Sequence, residues 1–360
     1  MTAQSHELAD TDVAFDSEQL RAWSNDLLAA RGMSLGHAGL VTESLLYAEH
    51  RGVATHGFVR LPTYIRRLRA GGIAAHGSPR IRPQSQAVVV VDGEAAAGAV
   101  VGAATADGAA EGAATCGIGA AVARDSNHFG CAGFYAERIA DRGFIGMVVG
   151  NSDAIMAPPG GGGRVLGSNP LAIALPVEVD GVRPVLDMAT TEAAYGRLLL
   201  AAEAGASIPE GWAVDDEGRP TTDPEVGLKG ALLPASGPKG FGLAFMIDVL
   251  ATLAGADLSP RAGALYGDEA APQRLGIFAL AVDPRFDGID TDFGDRLATL
   301  VGAVRQSGRN GGATPMIPGE PEARRREASG AVSVSAATFQ ALAALSAEEG
   351  IDVPTPAASA

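Results

Sequence analysis

The hydrophobic period changes twice along this chain, and that change constrains its fold more than any single motif does. Apolar residues recur at helical spacing over 17–31 (Leu20, Trp23, Leu27, Leu28) and over 37–51 (Leu40, Val41, Leu45, Leu46), and the second run stops at Gly52. From about Arg80 the texture turns to short β-rich runs, over 87–91, 144–149, 171–175, 183–186 and 276–282, punctuated by glycine and proline. Helical spacing returns after Asp290 (Phe293, Leu297, Leu300, Val301, Val304), followed by a Gly/Pro-rich loop over 307–321 and a closing helix over 335–347. The Ala/Gly-rich stretch 95–121 places Asp107 and Glu111 on one helical face and alanines on the other, so it reads as one tightly packed helix rather than a linker. Helices at both ends therefore enclose a sheet-containing core. The small, polar, proline-bearing residues after Ile351 are expected to be disordered.

Composition removes several function classes. With 47% apolar and 19% charged residues, 360 residues can bury one large core or two or three smaller ones. A net charge of −15, with no basic run longer than Arg324-Arg325-Arg326, argues against a nucleic-acid partner, because neutralising phosphates needs a basic stripe. The acidic start (Glu7, Asp10, Asp12, Asp16, Glu18) lacks the basic and apolar segments of a signal peptide, and no stretch approaches ~18 uninterrupted apolar residues. A cytoplasmic protein with no membrane partner is expected. Cys116 and Cys131 are too few and too far apart for a disulfide framework or a Cys-x-x-Cys motif, and read as packing residues.

Glycine is abundant, at 48 residues, yet none falls in Gly-x-Gly-x-x-Gly after a strand, and the phosphate loop ending in Gly-Lys-Ser/Thr is also missing. The run Gly160-Gly161-Gly162-Gly163 leads into Arg164 without a third glycine in register. If a nicotinamide dinucleotide binds, it binds by other means than the Rossmann turn. One such means is Lys239, one of only two lysines (with Lys229), in Ser236-Gly237-Pro238-Lys239-Gly240-Phe241-Gly242 just before an apolar helical run over 243–253. A glycine-rich turn at a helix start offers free N–H groups to an anion. A plain loop lysine fits the same residues.

The residues richest in chemistry are Thr55-His56-Gly57-Phe58-Val59-Arg60 and Asp125-Ser126-Asn127-His128-Phe129-Gly130, which hold two of only six histidines. If 58–68 is helical, with Pro62 in its first turn, Arg60 and Tyr64 share a face at i and i+4 and His56 enters from the same side. A guanidinium can hold a carboxylate through two parallel hydrogen bonds, and an imidazole can give a proton to a carbonyl oxygen or imine nitrogen. The spacing also fits a capping histidine beside a surface arginine. Asp187, in Leu186-Asp187-Met188-Ala189-Thr190-Thr191, ends a strand-like run and could fix a histidine tautomer, hold a cofactor group, or simply cap the next helix.

The chain resembles the malate/L-lactate dehydrogenases of the second type, the sulfolactate-dehydrogenase-like oxidoreductases. Relatives in that group include ureidoglycolate dehydrogenase, 2,3-diketo-L-gulonate reductase and Δ1-piperideine-2-carboxylate reductase. The resemblance runs from about residue 15 to 335 through six ordered motifs: His56-Gly57 with Arg60 and Tyr64, Ser126-Asn127-His128-Phe129-Gly130, Gly167-Ser168-Asn169-Pro170, Asp187-Met188-Ala189-Thr190, Lys239-Gly240-Phe241-Gly242-Leu243, and Ile317-Pro318-Gly319-Glu320. Thr55, Ser168 and Thr191 stand where relatives commonly carry another hydroxyl residue. Arg197 stands where lysine is frequent, and Ala235-Ser236 replaces a glycine-rich approach to Lys239.

The resemblance implies an α/β (α+β), non-Rossmann, sulfolactate dehydrogenase-like fold with a largely antiparallel central sheet and a flanking helical domain. On this basis residues 1–78 form the N-terminal helical, substrate-side region, 79–290 the sheet-containing nicotinamide-binding core, 291–350 C-terminal helices packing back on the N-terminal region, and 351–360 a disordered tail. It implies a homodimer using NAD or NADP, the choice left open, to move a hydride to or from a small 2-hydroxy or 2-oxo acid, a small-molecule carboxylate. His56 is the favoured acid/base, His128 the second active-site histidine, and Asp187 a catalytic and cofactor-side carboxylate. Arg60, Tyr64 and Thr55 are placed on the substrate side, and Ser152, Asp187, Met188, Ala189, Thr190, Lys239, Gly240, Gly319 and Glu320 at cofactor contacts. Which histidine transfers the proton stays open. Three alternatives stand beside this: NADPH-dependent reduction of a cyclic ketimine carboxylate, a metal-dependent hydrolase or lyase built on His56, His128 and Asp187, and a non-catalytic binding protein.

Overall fold

A computed structural model describes residues 13–285, 292–308, 315–328 and 331–357. Glu7, Asp10, Asp12 and Asp290, residues 309–314 of the expected 307–321 loop and the last three residues of the expected tail lie outside this set.

The N-terminal region runs β1 (Val13–Phe15), α1 (Ser17–Ala30), α2 (Leu35–His50) and α3 (Leu61–Ala70). Asp16 caps α1 by accepting from the Glu18 and Gln19 N–H groups, and Ser34 caps α2 through the His37 N–H, satisfying donors that a helix start leaves free. The apolar stripes read from the sequence face one another: Leu20, Trp23, Leu27, Leu28, Val41, Leu45 and Leu46 share one buried cluster with Phe58, Leu61 and Ile65.

Then come β2 (Arg80–Pro83), β3 (Val88–Asp92), α4 (Gly98–Cys116), β4 (Ile118–Ser126), α5 (Ala132–Ala140), β5 (Ile145–Gly150), β6 (Leu171–Ala174) and β7 (Val185–Met188). A small lobe follows, made of α6 (Tyr195–Glu203), β8 (Ala213–Val214), β9 (Pro220–Thr221), α7 (Pro224–Lys229) and β10 (Ala231–Leu232). After it come α8 (Pro238–Ala251), β11 (Leu275–Val282), α9 (Phe293–Ser307), α10 (Glu320–Ala328), β12 (Val332–Val334) and α11 (Ala336–Glu349). The central sheet has seven strands in the order β2-β3-β4-β11-β5-β6-β7, and every neighbouring pair is antiparallel except β3–β4. The one parallel pair is joined by the crossover helix α4, as parallel strands require.

The stretch 95–121 is not one helix. It ends at Cys116, Gly117 turns the chain at φ 77°, and β4 begins at Ile118. Alanine and glycine hide this strand because they carry little β preference. They are needed there because α4 lies close against it: a β-carbon on Gly119 would collide with the Ala109 carbonyl, and one on Gly112 would stand 2.9 Å from the Ala87 carbonyl oxygen. Cys131 is buried, as expected of a packing residue, whereas Cys116 is exposed.

The ends of the chain meet. β12 pairs antiparallel with β1, Val13 opposite Val334, and Phe339 on α11 packs against Phe15 and Trp23. The Trp23 indole donates to Ser346 at 2.7 Å. Ile351 packs on the same cluster, and the Ala357 N–H bonds to the Ala14 carbonyl at 2.7 Å.

Candidate active site

Two short 3-10 turns, Ala54–His56 and Phe58–Arg60, join α2 to α3. Gly57 separates them because a β-carbon there would strike the Glu49 carboxylate, which accepts the Phe58 N–H at 2.7 Å. The double turn places Thr55, His56 and Arg60 at the lip of the helical core. Arg60 thus belongs to the turn before α3 rather than to the helix, with Tyr64 one turn further on.

His128 arrives from the other core, on the loop after β4. Gln273 Oε1 accepts its backbone N–H at 2.9 Å, and the Asn127 amide donates to the Ala95 and Ala96 carbonyls, so the loop is fixed from both sides. The His56 and His128 rings stack with centroids 5.8 Å apart and planes 23° from parallel. Tyr64 Oη lies 2.7 Å from His128 Nδ1, and Thr55 Oγ1 lies 3.1 Å from His56 Nδ1, which leaves the Nε2 atom of each ring for other chemistry. Arg60 is 5% exposed; its Nε donates to the Thr55 carbonyl at 2.6 Å, and its guanidinium lies 5.4 Å from the centre of the Tyr266 ring. Tyr266 in turn stacks on Tyr195. Imidazole and guanidinium therefore converge.

Electrostatics follow from burial. Desolvation, reinforced by the Arg60 charge, lowers the His56 pKa to about 3. Burial first, then Arg60, His56 and Arg67, push His128 well below the usual imidazole range, and burial raises the Tyr64 hydroxyl. Both imidazoles are neutral at pH 7. Asp187, at the end of β7, moves the other way, to about 6, because burial outweighs the Gly133 N–H that its Oδ2 accepts at 2.9 Å.

Asp187 hydrogen-bonds neither histidine. β7 carries it to the start of α5, beside Tyr47 and Cys131 and near the Arg51–Glu137 ion pair, and the ring nitrogens are set by Tyr64 and Thr55 instead. Among the described residues no three His, Cys, Asp or Glu side chains are grouped to hold a metal ion, so His56, His128 and Asp187 do not assemble the two-histidine, one-carboxylate set of the metal-dependent alternative.

One cleft of about 1260 Å³ brings together Thr55, His56, Arg60, His128, Ser152, Asp187, Met188, Ala189 and Gly319. Tyr64 reaches it through His128. The other expected cofactor contacts shape its surroundings without lining it. The Thr190 hydroxyl donates to the Ser168 carbonyl, Gly240 packs on the backbone of Ala235 and Thr190, and the Glu320 carboxylate is held by Arg305, Arg324 and the Ile317 N–H. Lys239 is exposed in the first turn of α8, which begins at Pro238, earlier than the apolar run suggests. Sequence reasoning missed Tyr47, Arg51, Tyr195, Gly196 and Tyr266, all at or beside the cleft. Tyr266 sits in an irregular loop where no period marks it.

Comparison with known proteins places this geometry. Residues 15–343 match the family described as malate/L-lactate dehydrogenase. The chain is 34% identical over 301 residues to L-sulfolactate dehydrogenase of Methanocaldococcus jannaschii, covering 84% of this chain and 87% of the relative. The solved structure of sulfolactate dehydrogenase from that organism superposes with a TM-score of 0.87 at 32% identity, over 94% of this chain and 98% of the other. Ureidoglycolate dehydrogenase (NAD(+)) of Escherichia coli (strain K12) is 36% identical over 270 residues, 75% of this chain and 76% of the relative. The (2R)-3-sulfolactate dehydrogenase (NADP(+)) of Chromohalobacter salexigens is 36% identical over 259 residues, 71% and 77%.

Proposed function

The chain belongs to the malate/L-lactate dehydrogenase family, and from that premise we propose that it is an NAD(P)-dependent oxidoreductase interconverting a small 2-hydroxy acid and its 2-oxo acid. The observation that carries the reading is the convergence of His56, His128 and the buried Arg60 on one cleft.

The residues present fit a nicotinamide dinucleotide. The cleft continues past the histidines along Ser152, Asp187, Met188 and Ala189 to Gly319, where positive φ lets the backbone approach Val185. Within it the buried Tyr47 hydroxyl has no hydrogen-bond partner among the described residues, as a group awaiting a ligand would. Those residues would hold the dinucleotide, which supplies or accepts the hydride at the substrate carbon. Arg60 binds the substrate carboxylate through its free terminal nitrogens. His56, kept neutral by burial and by Arg60, takes the hydroxyl proton during oxidation. In reduction it returns that proton, its basicity raised in part once the carboxylate offsets the Arg60 charge. His128, its tautomer fixed by Tyr64, donates from Nε2 to the carbonyl oxygen.

Paired variants test the assignment. His56→Ala lowers kcat by about 10²–10⁴ with cofactor binding nearly unchanged, whereas Arg60→Ala acts mainly on substrate KM, by about 10². Unchanged constants in both remove the assignment. A panel of 2-oxo acids and cyclic ketimines, assayed with each reduced cofactor, identifies the substrate.

The proposal extends to organisation. Residues 1–78 supply the substrate side and 79–290 the nicotinamide side, and within 291–350 helix α11 packs on α1 and α3. We place the enzyme in the cytoplasm, with the nicotinamide pool it uses, as a homodimer. No helix among the described residues is long and apolar enough to cross a membrane. For the dimer, α8 presents Phe245, Met246 and Val249 to solvent, with Leu253 just past its end, an apolar stripe that an isolated subunit leaves uncovered.

A further inference from the structure

We propose that the first turn of α6 completes the carboxylate subsite: the substrate carboxylate is gripped between the Arg60 guanidinium and the backbone N–H groups of Tyr195 and Gly196, and Gly196 keeps the space between them open. This rests on the reading of Arg60 as the carboxylate clamp.

Two independent features face each other across this space. On one side α6, nine residues long, begins at Ala194, whose methyl group offers no capping hydrogen bond. The Arg197 N–H is taken by the Ala194 carbonyl at 2.9 Å, while the Tyr195 and Gly196 N–H groups bond to no protein acceptor among the described residues. The start of a helix leaves such donors unused and carries the positive end of its dipole. On the other side Arg60 is buried, and of its donors only Nε meets an acceptor, the Thr55 carbonyl. A β-carbon on Gly196 would stand 3.5 Å from Arg60 Nη2 and 3.0 Å from Thr55 Cβ and Cγ2, so the two sets of donors share one small space. Ala194, Tyr195 and Gly196 line the same cleft as His56 and His128.

Donors converging from two directions with no acceptor between them are unfavourable in an empty protein and well matched to an anion. A carboxylate, with about four lone-pair sites, can accept the guanidinium pair on one edge and backbone donors on the other. Held from both sides, its plane is fixed, and the adjoining 2-carbon is set relative to the histidines. Gly196→Ala should therefore act mainly on substrate binding, because alanine is the better helix former and the added methyl enters this subsite, against Thr55 and Arg60.

The test compares Gly196→Ala and Ala194→Asn with the parent and with Arg60→Lys. Asparagine at the helix cap accepts the Gly196 N–H, the second of the helix, with its own side chain. The readouts are melting temperature, kcat and KM for the 2-oxo acid, and the dissociation constant of oxamate from the complex with reduced cofactor. The expected result for Gly196→Ala and Ala194→Asn is an undiminished melting temperature, unchanged cofactor affinity, KM and oxamate dissociation constants raised about tenfold, and kcat within threefold of the parent. Parental oxamate affinity in both, with Arg60→Lys strongly weakened, overturns the α6 subsite and leaves the Arg60 clamp standing. Parental affinity in Arg60→Lys as well overturns the clamp itself. A lowered melting temperature with weakened cofactor binding assigns α6 a purely structural role and also overturns the proposal.

Discussion

At the scale of single residues, the site is built on neutral imidazoles, and this has a measurable consequence. His56 is neutral because burial and, after it, Arg60 oppose the charge, so a bound anion that offsets Arg60 raises its basicity but leaves the larger effect of burial in place. Binding of a 2-oxo acid to the enzyme with reduced cofactor is expected to take up a fraction of a proton per site, larger at pH 6 than at pH 8. Calorimetry in buffers of different ionisation heat reads this directly, and uptake of none across pH 6–8 removes His56 as the acid. Tyr64→Phe deletes the partner of His128 Nδ1, and kcat should fall about 10–100-fold with KM for cofactor unchanged. Asp187 gives a stability prediction of known sign. Its pKa is raised in the folded state, from 3.8 to about 6, so the folded protein binds the extra proton and loses stability as pH climbs through that window. Relative to Asp187→Asn, the parent should lose stability between pH 4 and pH 7, by less than the shift alone implies because Asp187 keeps exposed surface on the cleft, read by denaturant unfolding.

At the scale of elements, α4 and its sheet show how glycine sets distance. Gly112→Ala puts a methyl group 2.9 Å from the Ala87 carbonyl oxygen and 3.0 Å from the Gly119 α-carbon, both backbone atoms that cannot step aside. It should cost about 2 kcal/mol despite the gain in helix preference. Gly39→Ala in α2, with nothing within 4 Å, should instead raise stability by about 1 kcal/mol. The same contrast explains what was legible in the sequence. The helices α1 and α2 bury one stripe each, so their period is visible, and β5, β6 and β11 are rich enough in β-formers to stand out. β4 is not, because its small residues answer to α4 rather than to strand preference. In the site, His56 and His128 were readable because histidine is scarce in this chain, and Arg60 because it stands four residues after one of them. Tyr266 and Gly196 were not, since their roles arise from what the fold brings opposite them.

For the whole molecule, the exposed face of α8 is where we propose the subunit contact. Met246→Glu with Val249→Glu should convert the dimer to monomer in sedimentation, with the His56 site intact; a parent that sediments as a monomer removes this assignment. The β1–β12 clasp bears on how the chain is made. Phe15 and Trp23, which pack on each other, are made well before Phe339, the ring that completes their cluster more than three hundred residues later. The helices that carry the proton-transfer group are thus born early and roofed last, with oily surface bare throughout synthesis. Chaperone demand should rise steeply when translation stops short of α11, and Trp23 emission should be among the slowest signals to recover on refolding.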